Sequence, residues 1–257
     1  MREQTIFNME LATTYRNRLL IFLLVLFSFT SCEKVCDCAK GTGVITSEFR
    51  LTNAIQKIEL YNNIDLVIHI DSNSKIKITA GENLISEITT ENDNGILKIK
   101  NKNNCNWVRK FNPKIIVEVW TPNLTNLLAL DATGDIYFED SLDCNGFYFD
   151  SYSSTGKFNF KLKGSEAHLN INSGPADIKA IGAVNNFYLY GVGYGKLDCV
   201  NLHSDYVFVT NKGTNDFLVN AQQLIEANIY GVGNIYYQGN PASIIKKELG
   251  QGKLISL

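Results

Sequence analysis

The chain has 257 residues, 45% of them apolar and 19% charged, and its 24 basic and 26 acidic side chains leave a formal charge of −2. That balance excludes a nucleic-acid binder working through a basic field, a collagen-like fibre and a disordered acidic tail. A chain this long buries one large core or two modest ones, so no disulfide framework is needed to hold a small domain together.

At the N-terminus, Arg16 and Arg18 precede an unbroken apolar run from Leu19 to Phe27, followed by Ser28, Phe29, Thr30, Ser31 and Cys32. A short apolar stretch between basic and small residues reads as a secretory signal, too short to span a bilayer comfortably. Residues 1–31 are therefore expected to be a signal peptide. Cys32 after Thr30 and Ser31 resembles the lipobox of bacterial lipoproteins, which implies that Cys32 is lipidated and becomes the new N-terminus. Residues 32–44 then form the lipidated cysteine and its tether, and the membrane is the first expected partner. Each buried methylene contributes about 0.8 kcal/mol, and several acyl chains anchor stably where one does not. Glu33 and Asp37 loosely match the acidic residues that favour surface export in Bacteroidetes-type lipoproteins. The expected location is the cell envelope, at the outer membrane.

Removing Cys32 leaves Cys36, Cys38, Cys105, Cys144 and Cys199, an odd number for an exported protein, so at least one is unpaired or pairs between chains. Cys36 and Cys38 form a CxC rather than a CxxC, and no second thiol or histidine pair follows at ligand spacing, so no metal or other cofactor is expected. Cys105 has the option of bridging to the tether. Cys144 and Cys199 sit inside apolar strand patterns and read as small core residues.

From Gly41 to Thr121 the apolar period is two. Ile64, Leu66, Ile68 and Ile70 alternate with Asp65, Val67 and His69, and Leu97 and Ile99 alternate with Lys98 and Lys100. Such segments are half-buried strands, and only Leu84 to Ile88 resembles a short helix.

The second half repeats. A glycine-containing turn followed by an apolar residue recurs at Thr133-Gly134-Asp135-Ile136, Thr155-Gly156-Lys157-Phe158, Gly174-Pro175-Ala176-Asp177-Ile178, Gly193-Tyr194-Gly195-Lys196-Leu197, Gly213-Thr214-Asn215-Asp216-Phe217 and Gly231-Val232-Gly233-Asn234-Ile235. From Ile136 the apolar markers lie 22, 20, 19, 20 and 18 residues apart. Units this small cannot bury an apolar face alone and must stack. The expected fold is all-β: a right-handed parallel β-helix, or β-solenoid, of about six short repeats, with a strand-rich N-terminal half continuous with it. At ~4.8 Å per layer the repeats give a stack roughly 30 Å tall. A β-sandwich with evenly spaced hairpins is the competing architecture.

The segment Gly231-Val232-Gly233-Asn234-Ile235-Tyr236-Tyr237-Gln238-Gly239-Asn240-Pro241, the closing Gly250-Gln251-Gly252-Lys253, and the stretch from Phe49 to Leu60 with Asp65-Leu66-Val67-Ile68 resemble the putative auto-transporter adhesin head domain, also called the GIN domain. The resemblance covers residues 45–257 as an adhesin-head-like β-solenoid domain. It implies an exported adhesin or lipoprotein of Bacteroidetes-like bacteria with a β-helical body, and it carries over no catalytic residues.

For chemistry the candidates are thin. His69, His168 and His203 fall in no ligand pair or nucleophile motif, and His69 and His168 occupy outward strand positions, where they read as solvated. Asp131, Asp135, Glu139 and Asp140 cluster near one turn, which suits calcium, but acidic turn residues more often serve their own backbone. Gly191-Val192-Gly193 and Gly231-Val232-Gly233 lead into strand, not helix, so they form no phosphate cradle, and positive φ at solenoid corners explains them. The feature that stands out is aromatic. If Phe147, Phe149, Phe187, Leu189, Val207, Val209 and Ile229 point inward, Tyr148, Tyr188, Tyr190, Phe208 and Tyr230 point outward on neighbouring coils. Those five are the candidate ligand-binding residues, suited to stacking on a glycan or meeting a protein partner. The expected function is a non-catalytic envelope adhesin or ligand binder. A polysaccharide-lyase-like enzyme on the same scaffold, and a structural envelope protein that forms homo-oligomers through its outward face, are the alternatives.

Overall fold

A computed structural model describes residues 41–103 and 114–257. The expected signal peptide, Cys32, Cys36, Cys38 and Cys105 lie outside the described residues.

Among the described residues seventeen strands follow one another, interrupted by a 3₁₀ turn at Ile85–Glu87 where the sequence suggested a short helix. The first seven are β1 (Ile45–Leu51), β2 (Lys57–Tyr61), β3 (Asp65–Ile70), β4 (Lys75–Gly81), β5 (Ile88–Asp93), β6 (Ile96–Asn101) and β7 (Ile116–Thr121). Then come β8 (Asn126–Leu130), β9 (Ile136–Phe138), β10 (Leu142–Tyr152), β11 (Lys157–Ile171), β12 (Asp177–Gly191), β13 (Leu197–Asn211), β14 (Phe217–Ile229), β15 (Ile235–Gln238), β16 (Ser243–Glu248) and β17 (Leu254–Ser256).

These strands wind into a β-solenoid of about seven turns. One face stacks β6, β2, β8, the second halves of β10 to β14, and β16. The other stacks β7, β3, β9, the first halves of β11 to β14, β15 and β17, and every one of these pairings is parallel. The β2–β3 coil lies between β6–β7 and β8–β9, so chain order and stacking order differ at this end. Antiparallel strands finish the N-terminal end: β4 runs along β7 and β1 along β4, and β5 runs along β6.

Alternation alone explains which side chains are inside. In β11 to β13 the residues Leu169, Ile171, Phe187, Leu189, Val207 and Val209 are all at most 2% exposed. Halfway along the stack Phe138, Phe147, Phe149, Phe158 and Phe160 meet edge-on or tilted, with centroids 4.9–6.1 Å apart. Cys144 and Cys199 are buried free thiols, as the strand pattern suggested. Burial pushes the Cys144 thiol up to about 12 and raises Cys199 as well, so both act as small apolar residues.

The repeated turn has two physical causes, and positive φ is only part of the first. Gly174 (φ 94°) and Gly193 (φ 111°) do occupy left-handed backbone. Gly231 and Gly233 do not; a Cβ at Gly231 would fall on the carbonyl oxygen of Gly213, and one at Gly233 on that of Asn215. Here glycine is needed because consecutive coils pass too close for a side chain. The second cause is the Asp or Asn that follows. Asp135 Oδ1 accepts from the Lys157 amide (2.8 Å), Asp177 Oδ1 from Lys196 (2.7 Å), Asp216 Oδ1 from Asn234 (2.7 Å) and Asn234 Oδ1 from Lys253 (2.9 Å). Each coil thus satisfies a backbone N–H of the next, where the sheet ladder does not reach.

At the C-terminal end two inward positions of β16 turn polar, while Ile244 and Leu254 stay apolar. Lys246 and Glu248 pair in register with the buried Ala227 and Ile229. Glu248 accepts from the Leu254 amide (3.0 Å), from Lys246 (3.3 Å) and from Lys253 (3.2 Å), which closes the last coil with an ion-paired lid.

Candidate ligand-binding face

The buried residues of β10 to β13 send their neighbours outward, and in-register parallel pairing places those neighbours in columns. Tyr148 pairs with His168, His168 with Tyr188 and Tyr188 with Phe208. Their rings stack, with centroids 4.1, 4.2 and 4.7 Å apart and planes within 15°, 2° and 10° of parallel. His168 is therefore no solvated surface residue: it is held between two tyrosines, and its Nε2 lies 2.9 Å from Glu166 Oε1. His69 departs from expectation in the same way. It stacks on Trp120 at 4.5 Å, with Glu118 at 3.6 Å and the Lys75 ammonium 4.5 Å from the indole.

The stacking also sets what the ladder can offer. Parallel rings at these separations cover one another's faces, leaving edges and the tyrosine hydroxyls to solvent. Open ring faces remain at the two ends, where the column continues from Tyr148 to Asn126 and from Phe208 to Glu226.

Beside the ladder runs a polar column of Asp150, Asn170, Tyr190, Thr210, Asn228 and Lys247. Between the two lies an open groove of about 400 Å³, floored by Asn170, Tyr190, Thr210 and Asn228 and reached by Asn172. Asp150 Oδ1 accepts from the amides of Asn170 (3.2 Å) and Asn172 (3.0 Å), which orients both. The Lys212 ammonium lies 5.4 Å from the ring centroids of both Tyr190 and Tyr230. Of the five expected residues, Tyr148, Tyr188 and Phe208 thus join one ladder, Tyr190 lines the groove, and Tyr230 lies outside its lining, across Lys212 from Tyr190. The sequence reading placed His168 outward but as a solvated residue, although positions 148, 168, 188 and 208 fall at a constant interval; it expected outward Asn and Asp to share the contact surface without naming them, and it did not single out Lys212.

The acidic turn residues weighed for calcium are engaged locally, in line with the preferred reading. Asp131 adopts φ 49°, Asp135 accepts from Lys157 and from the Tyr137 hydroxyl (2.8 Å), and Asp140 accepts from the Ile70 amide (3.1 Å). Among the described residues no group of acidic, histidine or cysteine side chains is placed to hold a metal ion, and no helix is long and apolar enough to cross a membrane.

Together these features define a β-solenoid domain that displays one structured face along its length. The family described as "Putative auto-transporter adhesin, head GIN domain" matches residues 54–241, and the chain belongs to it. Among solved structures, a putative adhesin from Bacteroides fragilis superposes with a TM-score of 0.75 at 19% identity, covering 85% of this chain and 100% of its own. A putative adhesin from Parabacteroides merdae gives 0.65 at 18% identity (85% and 98% covered). A protein from Parabacteroides distasonis described as a putative lipid binding protein gives 0.66 at 19% identity (85% and 99%). At these identities the likeness is one of fold. No curated protein matches the chain.

Proposed function

We propose that the protein is a non-catalytic adhesion module of the cell envelope, exported by its N-terminal signal, anchored through lipid on Cys32, and binding a glycan or protein ligand on the face built by Tyr148, His168, Tyr188 and Phe208. Membership of an adhesin family fits this reading. The observation that carries it is the rigid pairing of an amphipathic ring ladder with a groove of oriented amides and hydroxyls. Rings with polar tips and preset hydrogen-bonding groups lower the ordering cost of binding, because the solenoid has already fixed their positions. Hydrogen bonding in the groove, more than stacking on the ladder, is the expected source of glycan affinity.

A glycan-array screen of the full-length chain in detergent tests this. Binding by the wild type that is lost in Asn170→Ala/Asn228→Ala and weakened in Tyr188→Ala/Tyr190→Ala supports the reading. Release of new reducing ends from a polysaccharide would replace it with the enzymatic alternative. In the same expression strain, incorporation of labelled palmitate that persists in Cys32→Ser would refute the anchor.

A further inference from the structure

The groove has a direction. Near its Asp150 end the carboxylates are already engaged: Asp150 with Asn170 and Asn172, and Glu166 with His168. Lys212, on the Thr210 coil, and Lys247, in the polar column itself, have no ion-pair partner among the described residues; Lys57, Lys157 and Lys179 share that state but lie away from this column. Lys212 is held between the rings of Tyr190 and Tyr230. Lys247 follows Asn228 in the polar column, one coil further on. The nearest acidic side chain along these columns, Glu226, takes a hydrogen bond from the Asn228 amide (3.4 Å).

The geometry points to an acidic oligosaccharide as the ligand, lying along the groove with its hydroxyls on Asn170, Thr210 and Asn228 and its carboxylate or sulfate between Lys212 and Lys247. This rests on the glycan-binding reading above and adds the charge of the ligand to it. Several features favour it. A cation between two aromatic faces keeps its position and its charge without being neutralised, so it meets an incoming anion at little ordering cost. Lysine recognises an anion as a point charge and does not demand the planar two-pronged geometry of arginine, which is absent after Arg109. The groove sets amides and hydroxyls of Asn170, Asn172, Thr210 and Asn228 against the rings of His168, Tyr188, Tyr190 and Phe208, a pairing of hydrogen-bonding groups with ring surface that suits a sugar backbone.

Calorimetry on the full-length chain in detergent, with sialyllactose against lactose and tetragalacturonate against its methyl ester, tests the assignment. The charged member of at least one pair is expected to bind about tenfold tighter or better, with the difference shrinking as salt rises. Lys212→Met/Lys247→Met should erase that difference, while Lys179→Met on the opposite face should keep it, with equal melting temperatures confirming the fold of each variant. Equal affinity within both pairs, or a preference that survives in the double variant, overturns the charge assignment and leaves glycan binding standing. Binding of polyglutamate but of no sugar assigns the lysines to an acidic peptide and overturns the proposal. Silence towards every probe together with a blank array overturns both readings.

Discussion

The two ends of the solenoid are built by different rules. From β10 onward each coil stacks on the coil that precedes it in sequence, and the Asp or Asn of one turn caps the next. Before β8, β6–β7 lies outside β2–β3, and β1, β4 and β5 run antiparallel to their neighbours. The first arrangement is modular, because a coil needs only the coils on either side of it. The second is a cap whose strands must all be present to cover the undersides of β2 and β3.

Deletion breaks this comparison most directly. Removing residues 178–196 joins Asp177 to Leu197, the register partner of the Ile178 it replaces, and is expected to leave a shorter solenoid that still melts cooperatively. Removing residues 75–121 exposes Ile58, Leu60, Leu66 and Ile68, which are at most 1% exposed in the intact chain, and is expected to abolish the cooperative transition. Circular dichroism on heating separates the two, and equal loss in both would show that the coils are not independent. A smaller effect sharpens the same contrast. Asp216→Ala strands the Asn234 amide and is expected to cost about 1 kcal/mol, whereas Asp93→Ala, whose carboxylate meets only the Asn94 side chain, should stay within about 0.5 kcal/mol; urea titration measures both. The smallest effect is local. The Leu254 amide and two lysines hold the Glu248 carboxyl down to about 2 from 4.5. Its contribution is therefore complete above the ordinary carboxylate range and lost as pH falls towards 2. Hydrogen exchange at Leu254 should stay slow at pH 4 and accelerate near pH 2, and acceleration already at pH 4 would contradict the lid.

The same contrast explains what the sequence made legible. The repeat was visible because close coil contact forces glycine at Gly231 and Gly233, and the exposed amide of the next coil calls for Asp or Asn beside them. The N-terminal stacking order was not visible, since alternation at Leu66 or Leu97 fixes which face is buried but not which strand lies alongside. On the aromatic face, Tyr148, Tyr188 and Phe208 announced themselves as outward aromatics. His168 did not, because a histidine in an outward position reads as solvated until its column neighbours are known. Lys212 likewise gains meaning only from Tyr190 and Tyr230, which lie far from each other in the chain and meet it across neighbouring coils.

The ion pairs across the β16–β17 coil bear on what can stack against it. A second copy approaching end-on would have to strip water from Lys246, Glu248 and Lys253 before any strand could pair with β16 or β17, and charges at positions otherwise reserved for isoleucine and alanine make that docking unfavourable. At this end the charges disfavour the stacking of a further strand, whereas the flank of the solenoid carries the ring ladder and the polar column.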